Sequence, residues 1–333
     1  MKEGALIPPN RRAPRSLVET VGDKLPKFNS ISEISNYQTT NPFFQNPTFN
    51  CLLSVDYLRF TIPFQLVNYQ EIVKFLKSVK VPLYALKNNR GQINYTFNGE
   101  SYKIYFHLIF DKNLGNFVCC ILRISQPTRE LIEHIHLLLK SKYLISIVEY
   151  SVDMYSDNLS ELYTLVKYSM MLRWAVGNPG TYLTTCYANN IRKSRVTGAK
   201  CYLKEIDDRV CVRVESTLKR KFFKDNSINT VYDLFKLEPY DIFKRLTFRN
   251  VKEKTIGNKI KRVSQKEFAK TISGIDLADI ASAFYHASIF TELNKSIVLF
   301  ARDIKSLLGK GVYLEKNNFE SLFFQKISDK SFF

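Results

Sequence analysis

The stretch that decides the fold is residues 199–218, which read AKCYLKEIDDRVCVRVESTL. On both sides of Asp207-Asp208, apolar and polar residues alternate with a period of two, which places successive side chains on opposite faces of a β-strand. Two adjacent aspartates are typical of a tight turn. The pattern therefore predicts two consecutive antiparallel strands, 199–206 and 209–218, each with one polar face.

Further strand-like runs precede this pair, at 53–62, 93–97, 102–110, 117–124, 145–155 and 181–188. Asn98-Gly99 separates two of them and is a strong signal for a type I′ hairpin. Apolar residues at helical spacing predict helices at 69–79, 128–142, 159–176, 230–236, 240–246, 265–271 and 277–308. The sequence thus predicts an α+β fold, with an antiparallel β-sheet core, flanking helices and a helical C-terminal part.

The predicted organisation has three parts. Residues 1–50 begin with a basic, proline-rich segment, PPNRRAPR at 8–15, and read as a flexible N-terminal arm. Residues 51–225 hold most of the predicted strands and read as an α+β domain for catalysis and DNA binding. Residues 226–333 read as a helical C-terminal region.

The chain carries a formal net charge of +18, and 45% of its residues are hydrophobic. An excess of positive charge of this size favours polyanionic partners, either nucleic acid or an anionic membrane. We expect no membrane association, because no apolar run approaches the ~18 residues that span a bilayer. No secretory signal is visible at the N-terminus, and the six cysteines contain no C-x-x-C pair. These features predict buried free thiols, no zinc site and a cytoplasmic location.

Basic residues are concentrated around the two strands of the opening stretch. Between positions 190 and 262 the chain has 20 Lys and Arg against 9 Asp and Glu, a balance of +11. Such clusters suit a groove that follows a phosphate backbone. The predicted DNA-binding residues are Arg192, Lys193, Arg195, Lys219, Arg220 and Lys221. Phe222 and Phe223 follow them, and we expect these rings to pack in the core rather than stack on bases.

The polar faces of three predicted strands supply a candidate catalytic site. If these strands are neighbours, Glu149, Asp153 and Glu215 converge near Tyr202. Clustered carboxylates suit a hard divalent ion, so the predicted cofactor is Mg²⁺ or Mn²⁺. A tyrosine hydroxyl has a pKa near ~10 and needs help to attack a phosphate at neutral pH.

Two basic residues on the same faces could provide that help. Lys204 is the predicted cation beside Tyr202, and Arg213 could clamp a phosphate through two parallel hydrogen bonds. An alternative stays open, because alternating polar residues and facing Glu–Arg pairs also occur in any antiparallel sheet with one solvated side.

Four short motifs resemble those of the rolling-circle replication initiators of plasmids and of filamentous phages, the gene II type. They are Val55-Asp56-Tyr57-Leu58, the pair Glu149 and Asp153, Tyr202-Leu203-Lys204-Glu205, and Arg213-Val214-Glu215. The resemblance covers roughly residues 50–250. One departure concerns residues 184–190, which read TTCYANN. They lack the Gly-Ser-Arg-like segment that often precedes the tyrosine strand in this family.

The resemblance implies a metal-dependent nicking and strand-transfer enzyme. Tyr202 would attack an origin phosphodiester, keep the 5′ end as a phosphotyrosine and free a 3′-OH primer. The implied partners are single-stranded or supercoiled origin DNA and, in addition, host replication proteins. A second tyrosine takes part in some phage-type members, and Tyr155, Tyr182 and Tyr187 are all candidates. The alternatives are a non-catalytic DNA-binding initiator or regulator, and an RNA-binding scaffold.

The segment His134-Ile135-His136 matches the residue types of a metal-binding motif found in many tyrosine nickases. That motif works on a strand, where residues two apart share a face. Here the segment lies inside the predicted helix 128–142, in which residues two apart point about 200° apart. We therefore expect these histidines to be ordinary helix residues.

Overall fold

The protein is described by a computed structural model, and the description covers residues 17–23, 25–26, 36–37, 40–66, 69–78, 88–140, 142–172, 180–182, 185–188, 194–251, 314–316 and 318–333. The predicted helices 265–271 and 277–308, together with Arg192 and Lys193, lie outside these residues. Nine strands of the described residues form one sheet, in which every neighbouring pair is antiparallel.

The sheet confirms the predicted α+β class. From one edge to the other its strands are β2 (Arg90–Phe97), β3 (Glu100–Asp111), β4 (Asn116–Ser125), β1 (Asn50–Pro63), β5 (Leu144–Tyr155), β10 (Arg209–Lys219), β9 (Thr197–Ile206), β8 (Thr185–Tyr187) and β7 (Gly180–Tyr182). A second, three-stranded sheet has the order β12 (Leu314–Lys316), β11 (Leu246–Val251) and β6 (Met170–Leu172).

The described helices flank these strands. They are α1 (Leu17–Asp23), α2 (Pro42–Gln45), α3 (Tyr69–Ser78), α4 (Arg129–Leu139), α5 (Leu159–Ser169), α6 (Arg220–Asp225), α7 (Val231–Phe235), α8 (Pro239–Phe243) and α9 (Asn318–Ser328). The side chain of Thr128 accepts a hydrogen bond from the Leu131 N–H, so it is the predicted cap of α4. None of the described helices is long and apolar enough to cross a membrane.

The two predicted hairpin turns are present. Asn98 and Gly99 have φ of 50° and 85°, and Asp207 and Asp208 have φ of 49° and 61°. Positive φ at both central residues is the property of a type I′ turn, which matches the right-handed twist of the strands it joins. Each turn therefore fixes the register of its hairpin, β2 with β3 and β9 with β10.

Three predicted elements differ from the structure. The helix expected to reach residue 176 ends at Ser169, and the chain continues directly into β6. The strand expected at 181–188 is a small hairpin of β7 and β8. The short helix expected at 240–246 ends at Phe243, and β11 follows it. In the first and third cases the apolar residues pair with each other, β6 with β11, a long-range contact that local periodicity does not encode.

The main sheet has one apolar and one polar face. The apolar face buries alternate residues of its central strands, among them Leu58, Phe60, Val148 and Val152. The C-terminal segment belongs to this core, since the ring of Tyr150 lies 4.8 Å from that of Phe332. Phe222 and Phe223 are also buried, which confirms their predicted place in the core.

The described part of the predicted N-terminal arm contains two short helices. In α2, Asn41 caps the first turn by accepting a hydrogen bond from the Phe43 N–H. Phe43 and Phe44 are buried in the hydrophobic core. The end of this segment is therefore anchored to the domain by two aromatic side chains.

Candidate functional site

The register of β5, β10 and β9 brings together the polar faces that the sequence predicts. Arg213 of β10 lies opposite Asp153 of β5 and opposite Tyr202 of β9. Glu215, two residues further on, therefore shares its face. The condition for convergence, that the three strands are neighbours, is met.

Arg213 is the most buried cation of the site, with 1% of its surface exposed. Its Nε and Nη2 donate to the two carboxylate oxygens of Asp153, both at 2.5 Å. Its Nη1 donates to Asp56 Oδ1 at 2.8 Å. Burial opposes the charge, but the hydrogen bonds and charge of Asp153 outweigh it and raise the pKa of the guanidinium. Arg213 thus ties β10 to β5 and to β1.

Lys200 occupies the centre of a second group of carboxylates. Its Nζ lies 2.6 Å from Glu215 Oε2 and 3.5 Å from Glu149 Oε1. The hydroxyl of Thr217 donates to the same oxygen of Glu149 at 2.7 Å. Burial lowers the pKa of Lys200, but the two glutamates have the larger combined effect and the net shift is upward. Lys200 therefore carries a proton and holds the two carboxylates together.

The hydroxyl of Tyr202 donates a hydrogen bond to Glu215 Oε1. Glu215 is fully buried, and burial together with the charge of Glu149 raises its pKa to about 7, against opposing effects of Lys200 and Tyr202. Burial and the charge of Glu215 raise the pKa of Tyr202 as well. Phenol and carboxyl therefore form a buried pair in which Glu215 is the group poised to accept a proton near neutral pH.

Lys204 does not contact Tyr202. Its Nζ lies 3.6 Å from Asp56 Oδ1, which also accepts from Arg213. The cation near the Tyr202 ring is Lys200, whose Nζ lies 5.6 Å from the ring centroid. The cation whose charge lowers the pKa of the Tyr202 hydroxyl is Arg213, which lies directly opposite Tyr202 on β10.

Asp56 reaches the site at a β-bulge in β1. Val55 lies opposite Tyr150 and Tyr57 lies opposite Glu149, so Asp56 is an extra residue without a partner on β5. Ser54, two residues earlier, is on the polar face, because its hydroxyl contacts that of Ser151, and Asp56 continues on that face. The bulge moves Tyr57 off the core side as well, so Asp56 and Tyr57 both lie between the buried Val55 and Leu58. The sequence places Asp56 in a motif but predicts no role for it in the site.

Three carboxylates are close enough to share a cation. One oxygen from each of Asp56, Glu149 and Glu215 lies within 4.8 Å of the other two. Carboxylate oxygens are the ligands that Mg²⁺ and Mn²⁺ prefer, so these residues fit such an ion in kind. In the structure Lys200 pairs with the two glutamates and Arg213 with Asp56, so an ion would have to displace these contacts. Two of the predicted ligands, Glu149 and Glu215, belong to this group. The third, Asp153, does not, and both its oxygens accept hydrogen bonds from Arg213.

The predicted DNA-binding residues occupy different positions. Arg195, Arg220 and Lys221 are exposed, and Lys221 pairs with Asp225 at 3.2 Å. Lys219 is half-buried, and its Nζ donates to the backbone oxygen of Ser194 at 2.8 Å. Burial, reinforced by the nearby Arg59, lowers the pKa of Lys219.

Two of the candidate second tyrosines, Tyr155 and Tyr187, are half-buried, and the side chain of Tyr182 lies outside the described residues. His134 and His136 lie on α4, as expected, and have different partners. His134 Nε2 is 2.9 Å from the hydroxyl of Tyr95, and His136 Nδ1 is 2.5 Å from that of Tyr143.

A pH-dependent effect of metal on stability follows from Glu215. Its pKa is about 7 in the folded chain and near 4.5 in the unfolded chain, so between these pH values the folded state binds more protons. Stability contributed by this group is therefore complete below pH ~4.5 and is lost as pH rises toward ~7. A divalent ion needs the ionised carboxylate, so we expect Mn²⁺ to stabilise the protein more at pH 8 than at pH 6.

Thermal unfolding with and without Mn²⁺ at the two pH values measures this effect. At a metal concentration 100 times Kd the expected gain is about 2.7 kcal/mol. Glu215→Gln should remove most of the gain and its pH dependence. A gain that is equal at both pH values, or that persists in Glu215→Gln, would show that the ion binds elsewhere.

Known proteins offer no family assignment for this chain. No family model and no curated protein matches the chain. Among solved structures, the periplasmic domain of Vibrio cholerae LuxQ is similar at 12% sequence identity, over 50% of this chain and 72% of that one, with a TM-score of 0.13. A TM-score this low carries no information about function.

Proposed function

We propose that this protein is a rolling-circle replication initiator that nicks origin DNA through Tyr202. The observation that carries the proposal is the pairing of the Tyr202 hydroxyl with the high-pKa carboxyl of Glu215, beside two further carboxylates. A nucleophile next to a proton acceptor is the arrangement that covalent catalysis needs. The +18 net charge supports a polyanionic substrate.

In this proposal each residue has a definite role. Tyr202 Oη forms a bond to phosphorus while its proton passes to Glu215, and the P–O3′ bond breaks. The products are a 5′-phosphotyrosine and a 3′-OH, which takes up a proton. Asp56 and Glu149 would hold the divalent ion, and Glu215 would join them only while it is ionised. When bound, Mg²⁺ or Mn²⁺ neutralises charge that develops on the phosphate oxygens.

Arg213 and Lys204, two of the three cations outside that ligand set, have separate roles. The Nε, Nη1 and Nη2 atoms of Arg213 donate to Asp153 and Asp56, so Arg213 acts as a positioning residue that holds these two carboxylates. Lys204 is half-buried and lies next to Asp56, which makes it the better placed contact for the phosphate.

The proposal is tested by incubating the protein with supercoiled and single-stranded DNA from the genetic element that encodes it. With Mg²⁺ or Mn²⁺ present, we expect open circular product and a protein–DNA adduct that survives denaturing electrophoresis. Both should disappear with EDTA. Sequence-specific binding without a nick or an adduct would refute the enzyme and favour a non-catalytic DNA-binding initiator. A preference for RNA over any origin sequence would favour the scaffold.

A further inference from the structure

The polar side of the sheet continues beyond the catalytic cluster into a basic surface. It is formed by the outward side chains of β2, β3, β4 and the middle of β1. We call it the basic face and define it by Tyr57, Arg59, Arg90, Lys103, Tyr105, His107 and Arg123. None of these residues is used by the proposed chemistry, so the surface requires its own explanation.

The centre of the basic face is a layer of planar groups. Tyr105 and Arg59 lie on either side of Arg123 in the sheet, each directly opposite it on a neighbouring strand. The Arg123 guanidinium lies 4.3 Å from the ring centroid of Tyr57 and 5.7 Å from that of Tyr105. Arg123 is exposed, and 37% of the Tyr105 surface is open to solvent. Such rings and guanidinium planes are surfaces on which unpaired bases stack.

The charge on this face is uncompensated within the described residues. Strands β2 to β4 contain two carboxylates, both at the ends of β3: Glu100 accepts from the Tyr102 hydroxyl, and Asp111 accepts from the backbone of the following turn. Neither pairs with the four cations of the basic face in the described part of the chain. The basic face is therefore complementary to a polyanion.

Arg59 and Arg123 strengthen this argument. They are directly opposite each other on β1 and β4, and like charges in that relation destabilise a sheet. In addition, Arg59 Nε is buried and has no hydrogen-bond partner among the described residues. A bound anion would relieve both the repulsion and the unpaired donor.

The basic face adjoins the catalytic cluster. Tyr57, which stacks with Arg123, lies opposite Glu149 on β5 and next to Asp56 in the chain. A nucleic-acid strand lying across β3, β4 and β1 would therefore lead directly to the carboxylates around Tyr202. Neighbouring strands are about 4.8 Å apart, so this path is only a few nucleotides long.

We propose that the basic face binds single-stranded DNA, with bases stacked on Tyr105 and Arg123 and phosphates near Arg59, Arg90 and Lys103. A duplex hides its base faces, so planar stacking groups on an open sheet favour the single strand. That this strand is the one cut rests on the function proposed above. The binding itself requires neither metal nor Tyr202.

The test is fluorescence anisotropy of a labelled oligo-dT 20-mer with full-length protein in EDTA. Arg123→Ala and Tyr105→Leu, which keeps the bulk of the side chain, should each weaken binding about tenfold. Arg59→Gln should also weaken binding and reduce the slope of log Kobs against log salt by about 0.7. The matched control is Arg129→Ala, since Arg129 on α4 is likewise exposed and stacks on a ring, that of Phe235 at 4.8 Å; its Kd should change less than about twofold.

The outcomes separate this inference from the nicking proposal. Unchanged affinity in Arg123→Ala and Tyr105→Leu, with melting temperatures equal to that of the wild type, would overturn the basic face as the binding surface. Equal competition by a duplex would overturn the preference for a single strand. Binding that depends on the basic face in a protein that never nicks DNA would leave this inference standing and refute the enzyme. If both variants nick DNA and bind the oligonucleotide with full affinity, this inference is wrong and the nicking proposal stands.

Discussion

Tyr202→Phe is expected to reduce the rate of DNA nicking by at least about 1,000-fold and to abolish the covalent protein–DNA adduct. The substitution removes only the hydroxyl oxygen, which in the proposed reaction forms the bond to phosphorus and donates its proton to Glu215. The measurement is conversion of supercoiled to open circular DNA with Mn²⁺, together with electrophoretic detection of the adduct.

The fold should survive this substitution. Loss of the hydroxyl leaves the buried Glu215 Oε1 without this donor, which costs about 1–3 kcal/mol, and the half-buried ring stays in place. Tyr232→Phe is the matched control, because Tyr232 is exposed on α7 with its ring against His136. We expect that variant to nick like the wild type. If Tyr202→Phe still nicks and forms an adduct, the nucleophile is another tyrosine. Tyr155, the last residue of β5 and two residues after Asp153, is the first to examine.

Arg213→Leu is expected to lower the free energy of unfolding by about 3–5 kcal/mol. The guanidinium makes two hydrogen bonds to Asp153 and one to Asp56, and its removal leaves Asp153 buried without its counter-ion. The cost of an unpaired buried charge exceeds that of an absent pair, because the carboxylate keeps its desolvation penalty. Urea unfolding followed by circular dichroism measures the change.

The double variant Arg213→Leu/Asp153→Leu is the informative control. It replaces the whole pair with apolar side chains, and we expect it to recover most of the stability that the single variant loses. A loss below about 1 kcal/mol in Arg213→Leu would mean that water or a neighbouring cation satisfies Asp153. The same variants, assayed at a temperature where they stay folded, would also separate positioning from stability in the nicking reaction.

The sequence by itself determined the strands and their polar faces. Alternation with a period of two is a local property, and it placed Glu149, Asp153, Tyr202, Arg213 and Glu215 on polar strand faces that the structure brings together. The hairpin turns were also readable, because positive φ at both central positions suits only a few residue types. The cap at Thr128 and the helical setting of the two histidines were also predicted correctly, because capping and helical periodicity are local properties too.

The assignment of partners within the site depended on tertiary structure. Asp56 joins the carboxylates through its contacts with Arg213 and Lys204 of two other strands, and Lys200 rather than Lys204 lies between the glutamates. The basic face likewise required the register of Tyr105, Arg123 and Arg59 across three strands.

Local patterns specify which face a side chain occupies, since that depends on the backbone of its own strand. They do not specify which distant strand lies beside it or where a bulge shifts the register, since these follow from burying the whole core. The sequence therefore determined the α+β class and the strand face that most candidate residues occupy. Only the folded sheet decided which of them share a proton, a salt bridge or a cation.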